Sequence, residues 1–154
     1  MVDEVAAKHY TTNRLAIVEA LSEVLKEIDG TTEYNTNLSN NVYPRMLFWD
    51  EVNEYPAVHI TAGTEVRQYQ TGGYKDRYMT VVIRCYVQEE DSVRALEGLL
   101  ADIEFVVEKN SRLAYQDRSG VPQVTHDIII TSIDTDEGVM APLGIGEIQL
   151  RVHY

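Results

Sequence analysis

The stretch AVHITAGTEVRQYQTGGYKDRYMTVVIRCYVQ, residues 57–88, decides the fold. In its first arm Val58, Ile60 and Ala62 alternate with His59 and Thr61, the two-residue period of a strand with one buried face. In the return arm Met79, Val81, Ile83, Cys85 and Val87 share one face, and Tyr78, Thr80, Val82, Arg84 and Tyr86 share the other. Gly72-Gly73 between the arms is a turn signal. The stretch predicts one long antiparallel hairpin. Its base has an apolar face, and its polar, tyrosine-bearing tip, 65–77, projects from the domain.

A helix is predicted on each side of this hairpin. Leu15, Ile17, Val18, Leu21, Val24, Leu25 and Ile28 recur at helical spacing after Thr11-Thr12, and Asp29-Gly30 closes the pattern, giving a helix over 12–29. On the other side Asp91 or Ser92 caps a second helix that ends near Asn110. Val93, Leu96, Leu99, Leu100, Ile103, Val106 and Val107 form its buried stripe, and Arg94, Glu97, Asp102, Glu104 and Glu108 its wet face. Each stripe buries one side only, so each helix should lie on a sheet.

Residues 31–56 read as a long loop with one short strand near 42–48, which Pro44 confines to an edge or ends early. Residues 111–123 read as a polar loop and 124–134 as a strand. A last strand alternates Ile148, Leu150, Val152 and Tyr154 inward with Glu147, Gln149, Arg151 and His153 outward. The order is α-β-β-β-α-β-β. The fold class is α+β: a mostly antiparallel sheet with two helices packed on one face. The 154 residues form a single domain, 1–154, preceded within it by a flexible acidic arm, 1–10.

Composition narrows the function. Hydrophobic residues are 44% and charged residues 25%, as in ordinary globular chains. The net charge of −12 comes without any Lys/Arg-rich stretch, which argues against groove binding to nucleic acid and against an anionic membrane surface. No apolar run approaches the roughly 20 residues of a membrane-spanning helix. The start, Met1-Val2-Asp3-Glu4, lacks the basic and apolar regions of a secretory signal. The single cysteine excludes an internal disulfide framework. The expected context is the interior of a cell, or a particle assembled there.

Motifs for catalysis are sparse. His9, His59, His126 and His153 have no metal-ligand spacing, and His59 and His153 fall on polar strand faces. Cys85 sits on an apolar face, the position of a small buried hydrophobe. Asp134-Thr135-Asp136-Glu137-Gly138 hints at a calcium loop but lacks the ligand series and distal glutamate, so a turn is the simpler reading. Gly144-Ile145-Gly146 precedes a strand rather than a helix and therefore is no dinucleotide fingerprint. Twenty-five acidic residues always allow a carboxylate pair in space, and nothing in the sequence selects one. The reading is a non-enzyme with no cofactor and no metal.

Tyrosine is in excess, ten against two phenylalanines and one tryptophan. Its apolar body and polar edge suit surfaces that become buried on association. Tyr69, Tyr74, Tyr78 and Tyr86 lie on the hairpin. Tyr69 and Tyr74 fit an interface or ordinary cross-strand packing equally well, whereas Tyr78 and Tyr86 fit packing better. The candidate interface residues are therefore Arg67, Tyr69, Gln70, Tyr74, Lys75 and Arg77 at the hairpin tip. Reversing charge at Arg67 and Arg77 together is expected to weaken assembly and leave the fold intact. Glu89, Glu90, Asp134, Asp136 and Glu137 lie at strand ends and form a candidate acidic edge or lumen.

The whole pattern resembles the tail terminator, or tail completion, proteins of long-tailed bacteriophages. The resemblance spans about 10–154. It rests on the helix opening Asn13-Arg14-Leu15-Ala16-Ile17-Val18-Glu19-Ala20-Leu21, the Pro-started strand Tyr55-Pro56-Ala57-Val58-His59-Ile60 leading into a charged hairpin, the long strand Tyr78 to Val87, the helix at 92–109, and two closing strands after a polar loop. Order and lengths carry it, with no single diagnostic motif. The resemblance implies a structural virion protein, made in the host cytoplasm and placed at the head-proximal end of the tail. Its implied form is a hexameric ring that stops tail-tube polymerisation. Its implied partners are the tail tube protein, the head connector or neck, and the sheath if the tail contracts. DNA would pass through without specific binding. The alternatives are another head–tail joining or neck component, a small ligand-binding α+β domain, which predicts an apolar pocket with convergent polar groups, and an acid–base enzyme, which predicts perturbed carboxylates in a cleft.

Overall fold

A computed structural model of the chain describes residues 12–31, 33–38 and 40–154. The expected arm, 1–10, lies outside the described residues.

The alternation in 57–88 becomes two paired strands, β2 (Ala57–Tyr69) and β3 (Lys75–Gln88). Gly72 and Gly73 both turn the chain at positive φ, +88° and +84°, where a Cβ would be strained. Upstream lie α1 (Asn13–Leu25) and β1 (Val42–Tyr43). Downstream come α2 (Ser92–Lys109), β4 (Ala114–Gln116), β5 (Pro122–Val124), β6 (Asp127–Thr135) and β7 (Leu143–His153). The main sheet has the order β1-β2-β3-β7-β6 and is antiparallel except for β1, which runs parallel to β2. Both helices lie on one face, α1 over β2 and α2 over β3 and β7. Between helices and sheet sit Ile17, Leu21, Leu25, Ile60, Met79, Ile83, Leu99, Ile103 and Ile148, all without solvent exposure. The α+β architecture is the one the sequence predicts.

Several boundaries move, each for a local reason. Helix α1 stops at Leu25 rather than near 29. Lys26, Glu27 and Ile28 instead donate to carbonyls three residues back, a tightened exit that keeps Ile28 in the core. The short strand shrinks to two residues because Pro44 follows it, and 49–51 is a single 3-10 turn. The loop 111–123 contains the unpredicted β4–β5 hairpin, and β6 begins at Asp127 instead of 124. Asp117 closes that small hairpin by accepting from the backbone of Ser119 and Val121 at 2.8 and 3.0 Å. Thr125 then locks its base, its hydroxyl accepting from Leu113 N–H at 2.8 Å and donating to Ser111 O at 3.0 Å.

His59 is not on a wet face. It is 2% exposed, because residues 44–51 fold back over the face of the sheet opposite the helices. Leu47 is the keystone of this cover. Its N–H donates to His59 Nδ1 at 2.8 Å, and its carbonyl accepts the Tyr86 hydroxyl at 2.9 Å. Burial, the largest influence on His59, lowers its pKa, so the ring is held neutral. Two stripe assignments on α2 also change. Val93 is about half exposed, while Asp102, expected to be wet, is buried.

A β-bulge interrupts the hairpin. Ala62 pairs with Val81, but the next partner pair is Glu65 with Met79, so Gly63 and Thr64 together face Thr80. The Arg14 guanidinium donates to the Gly63 carbonyl, tying α1 to the bulge. Beyond Arg77, whose carbonyl accepts from Tyr154 N–H at 3.1 Å, the two strands continue without a third neighbour among the described residues.

Candidate assembly surfaces

The six hairpin-tip candidates divide into a root and a tip. Arg67 and Arg77 are direct cross-strand partners at the root, a like-charge pair that needs compensation. Glu65 supplies it. The bulge turns Glu65 toward the helix side, where its side chain is only 6% exposed. There it accepts from Arg67 Nε at 2.6 Å and from the Tyr154 hydroxyl. Burial alone would raise the Glu65 pKa, but the hydrogen bonds from Tyr154 and Arg67 and the nearby arginine charges outweigh it and hold the carboxyl below its usual value. Burial and the carboxylate together push Tyr154 up to about 12. The Arg77 guanidinium lies over the Tyr154 ring, 5.4 Å from its centroid, and Tyr115 meets the same ring edge-on.

The tip itself is tied more lightly, through a side-chain hydrogen bond between Tyr69 and Arg67. Gln70 donates to Asp76 at 3.1 Å, a bond within the turn. Tyr69 and Tyr74 are 74% and 76% exposed, and Lys75 is exposed with no ion pair among the described residues. Of the two other hairpin tyrosines, Tyr86 is buried. Tyr78 stacks on His153 at 4.6 Å, with the Arg151 guanidinium over its ring. His153 also lies 4.6 Å from the ring of His126 and 3.1 Å from Asp76 Oδ1, so two histidines distant in sequence meet in space.

The acidic candidates gather at the other end of the sheet. Strands β3 and β6 run in the same direction, so the β3–α2 link and the β6–β7 turn emerge together. Glu89 N–H donates to Pro142 O at 3.0 Å and joins them. Glu89, Glu90 and Glu137 are exposed there. Asp136 is a turn-former, its carboxylate accepting from Met140 N–H at 3.2 Å. Asp134 sits within β6, opposite Glu147, whose carboxylate pairs with Arg84 at 2.9 Å.

Sequence reasoning missed two surfaces. The first is an open groove of about 780 Å³ beside the acidic end, between the 35–37 segment and the first half of α2. Tyr55, Pro56 and Val87 give it apolar walls, and Glu89, Asp91 and Glu97 an acidic rim. Asp102 fixes one wall. Its buried carboxylate accepts from the backbone of Asn35 and Thr36 at 2.9 and 2.8 Å and from the Thr36 hydroxyl at 2.6 Å. The second is the outer side of the 44–51 cover, where Met46, Phe48 and Trp49 are each about half exposed. The run Met46-Leu47-Phe48-Trp49, apolar inside a loop, was its signal.

The remaining chemistry has structural explanations. Burial raises the Cys85 thiol far above its usual pKa, which leaves no thiolate for attack. Gly144 and Gly146 face α2. A Cβ on Gly146 would lie 3.0 Å from Leu96 Cδ1, and one on Gly144 2.7 Å from Val87 Cγ2. The two glycines let helix and sheet approach closely. Among the described residues no group of three or more His, Cys, Asp and Glu side chains is placed to hold a metal ion, and no helix is long and apolar enough to cross a membrane.

Residues 11–154 match the family model described as Bacteriophage Tail Tube Terminator Protein. The chain belongs to the bacteriophage tail tube terminator family. Within it, the chain is 35% identical over 153 residues to the tail tube terminator protein p142 of Escherichia phage T5, covering 95% of this chain and 93% of that one. The terminator fold is also shared with a chain from the virion of a native gene transfer agent particle. That likeness has a TM-score of 0.56 at 12% identity and covers 90% of this chain and 93% of the other.

Proposed function

We propose that this chain forms a hexameric ring on the head-proximal end of a phage tail tube, ends tube polymerisation there, and presents the docking surface for the head connector, with the sheath as a further neighbour in a contractile tail. Family membership supports the tail role. The observation that carries the ring is the polarity of the sheet. A basic, aromatic hairpin projects from one end, and an acidic edge occupies the other. Unlike ends that can meet repeatedly are what a heterologous, closed ring requires.

The acidity has a use in such a ring. Carboxylates facing a central channel repel DNA phosphates and keep the passage from becoming a binding site. Six copies, each at −12, also repel one another, so closure is favoured by salt, by divalent ions or by the tube end acting as a template.

Two measurements test the reading. Size exclusion with light scattering, across protein concentration and salt, is expected to show a species near six times 17.5 kDa, alone or once tube ends are supplied. Added to a purified tail tube, the protein is expected to halt elongation from the end it occupies. A chain that stays monomeric and leaves tube growth unchanged overturns the proposal. One that adds to the tube and lets it lengthen is another tail component instead.

A further inference from the structure

We propose that the exposed hairpin tip of one copy seats in the groove beside α2 of the next copy, so that this single contact, repeated head to tail, closes the ring. The inference rests on the ring reading and names its interface.

Three observations carry it. First, tip and groove lie at opposite ends of the same sheet, the placement a head-to-tail contact needs and a two-fold contact does not. Second, their chemistry is complementary. The tip offers two tyrosines at 74% and 76% exposure and the cation Lys75, which has no ion pair among the described residues. The groove offers apolar walls at Tyr55, Pro56 and Val87 beneath a rim of three carboxylates, Glu89, Asp91 and Glu97, against one cation, Arg94, so the rim is acidic on balance. A tyrosine ring fits such a wall, its hydroxyl can reach the rim, and Lys75 would meet acids in a partly desolvated setting. Third, both parts are anchored to the body of the fold. The tip is braced at its root by Glu65, Arg67 and Tyr154, and the groove wall is pinned by Asp102. Docking therefore orders little that was loose, which lowers the entropic cost of association. At about 780 Å³ the groove has room for more than one aromatic side chain.

The test uses the full chain carrying Tyr74→Cys and Gln88→Cys together, both at exposed positions, assembled and then mildly oxidised. The expected result is a disulfide-linked ladder reaching the hexamer on a non-reducing gel, with no ladder from either single variant. The charge pair reads the same contact without shortening a tyrosine. Lys75→Glu is expected to raise the concentration for half-assembly about tenfold, and adding Glu97→Lys to the same chain is expected to restore most of it. A ring of full mass that gives no ladder overturns this interface and leaves the ring standing, as does a Lys75→Glu defect that Glu97→Lys does not relieve. Absence of any ring, free or on tube ends, removes the ring reading and this contact with it.

Discussion

The Thr36 hydroxyl donates to Asp102 Oδ2 at 2.6 Å across 66 residues of sequence. With the amides of Asn35 and Thr36 on the same carboxylate, this bond joins the irregular segment after α1 to the middle of α2. A buried carboxylate stripped of its donors, or the donors stripped of it, costs several hydrogen bonds at once. Asp102→Ala is therefore expected to lose about 3 kcal/mol of stability, read as a lower urea midpoint with unchanged slope. Asp102→Asn keeps the shape and part of the bonding and should lose less. Equal stability of Asp102→Ala and the parent chain would show that the 35–36 segment is held by something else.

His59 predicts a pH effect with a definite sign. Its folded pKa lies below the unfolded value of about 6.5. Above that pH both states are neutral and the site contributes its full packing. As pH falls below 6.5 the unfolded chain takes up the proton first, so stability drops until the folded-state pKa is passed. Unfolding free energies of the parent chain and His59→Gln, measured from pH 8 to pH 5, are expected to converge as pH falls. Parallel curves would mean that burial beneath the 44–51 cover does not hold the ring neutral.

At the hairpin root, Tyr154→Phe removes the hydroxyl that Glu65 accepts from and is expected to cost about 1 kcal/mol. The alkaline side carries its signature. Tyr154 is raised from 10 to about 12 in the fold, so it favours the folded state at neutral pH, and that advantage is lost as pH rises between those values. Absorbance titration of the folded protein should show a late-ionising tyrosine that Tyr154→Phe abolishes.

Gly146→Val should cost about 1–3 kcal/mol by forcing a branched side chain against Leu96 and Leu100. Gly120→Ala has no neighbour within 4 Å, so it tests backbone strain alone. A Gly146→Val protein as stable as its parent would mean that α2 can shift away from the sheet without loss.

Much of this fold was legible because alternation is a local signal with a tertiary meaning. Most apolar residues at the hairpin base, in α2 and in the last strand face the core where a sheet covered by helices on one side requires, with Val93 and Phe105 on α2 as exceptions. What failed depended on partners far away in sequence. His59 reads as polar-face because the second cover over its strand is a loop without periodicity. Asp102 reads as wet because its donors come from Asn35 and Thr36, and no helical pattern announces them. The β4–β5 hairpin is short and exposed, so it carries no apolar alternation. The tip candidates were visible as an excess of tyrosine and basic charge. The groove was not, because a concavity belongs to three segments at once. The root also changes one expectation: Arg67 and Arg77 brace the hairpin, so reversing both disturbs the fold as well as any contact, and Lys75 is the cleaner probe.

The bulge at Gly63 and Thr64 also limits how this hairpin can vary. It adds one residue to one arm, which sets the side of the sheet that every residue beyond it addresses. A single residue inserted in each arm between the bulge and Glu65 would put Glu65, Arg67 and Tyr69 on the wrong side, whereas adding two to each would keep every facing and extend the reach by about 7 Å. Insertions between the bulge and Glu65 are thus expected to be tolerated only in steps of two residues per arm.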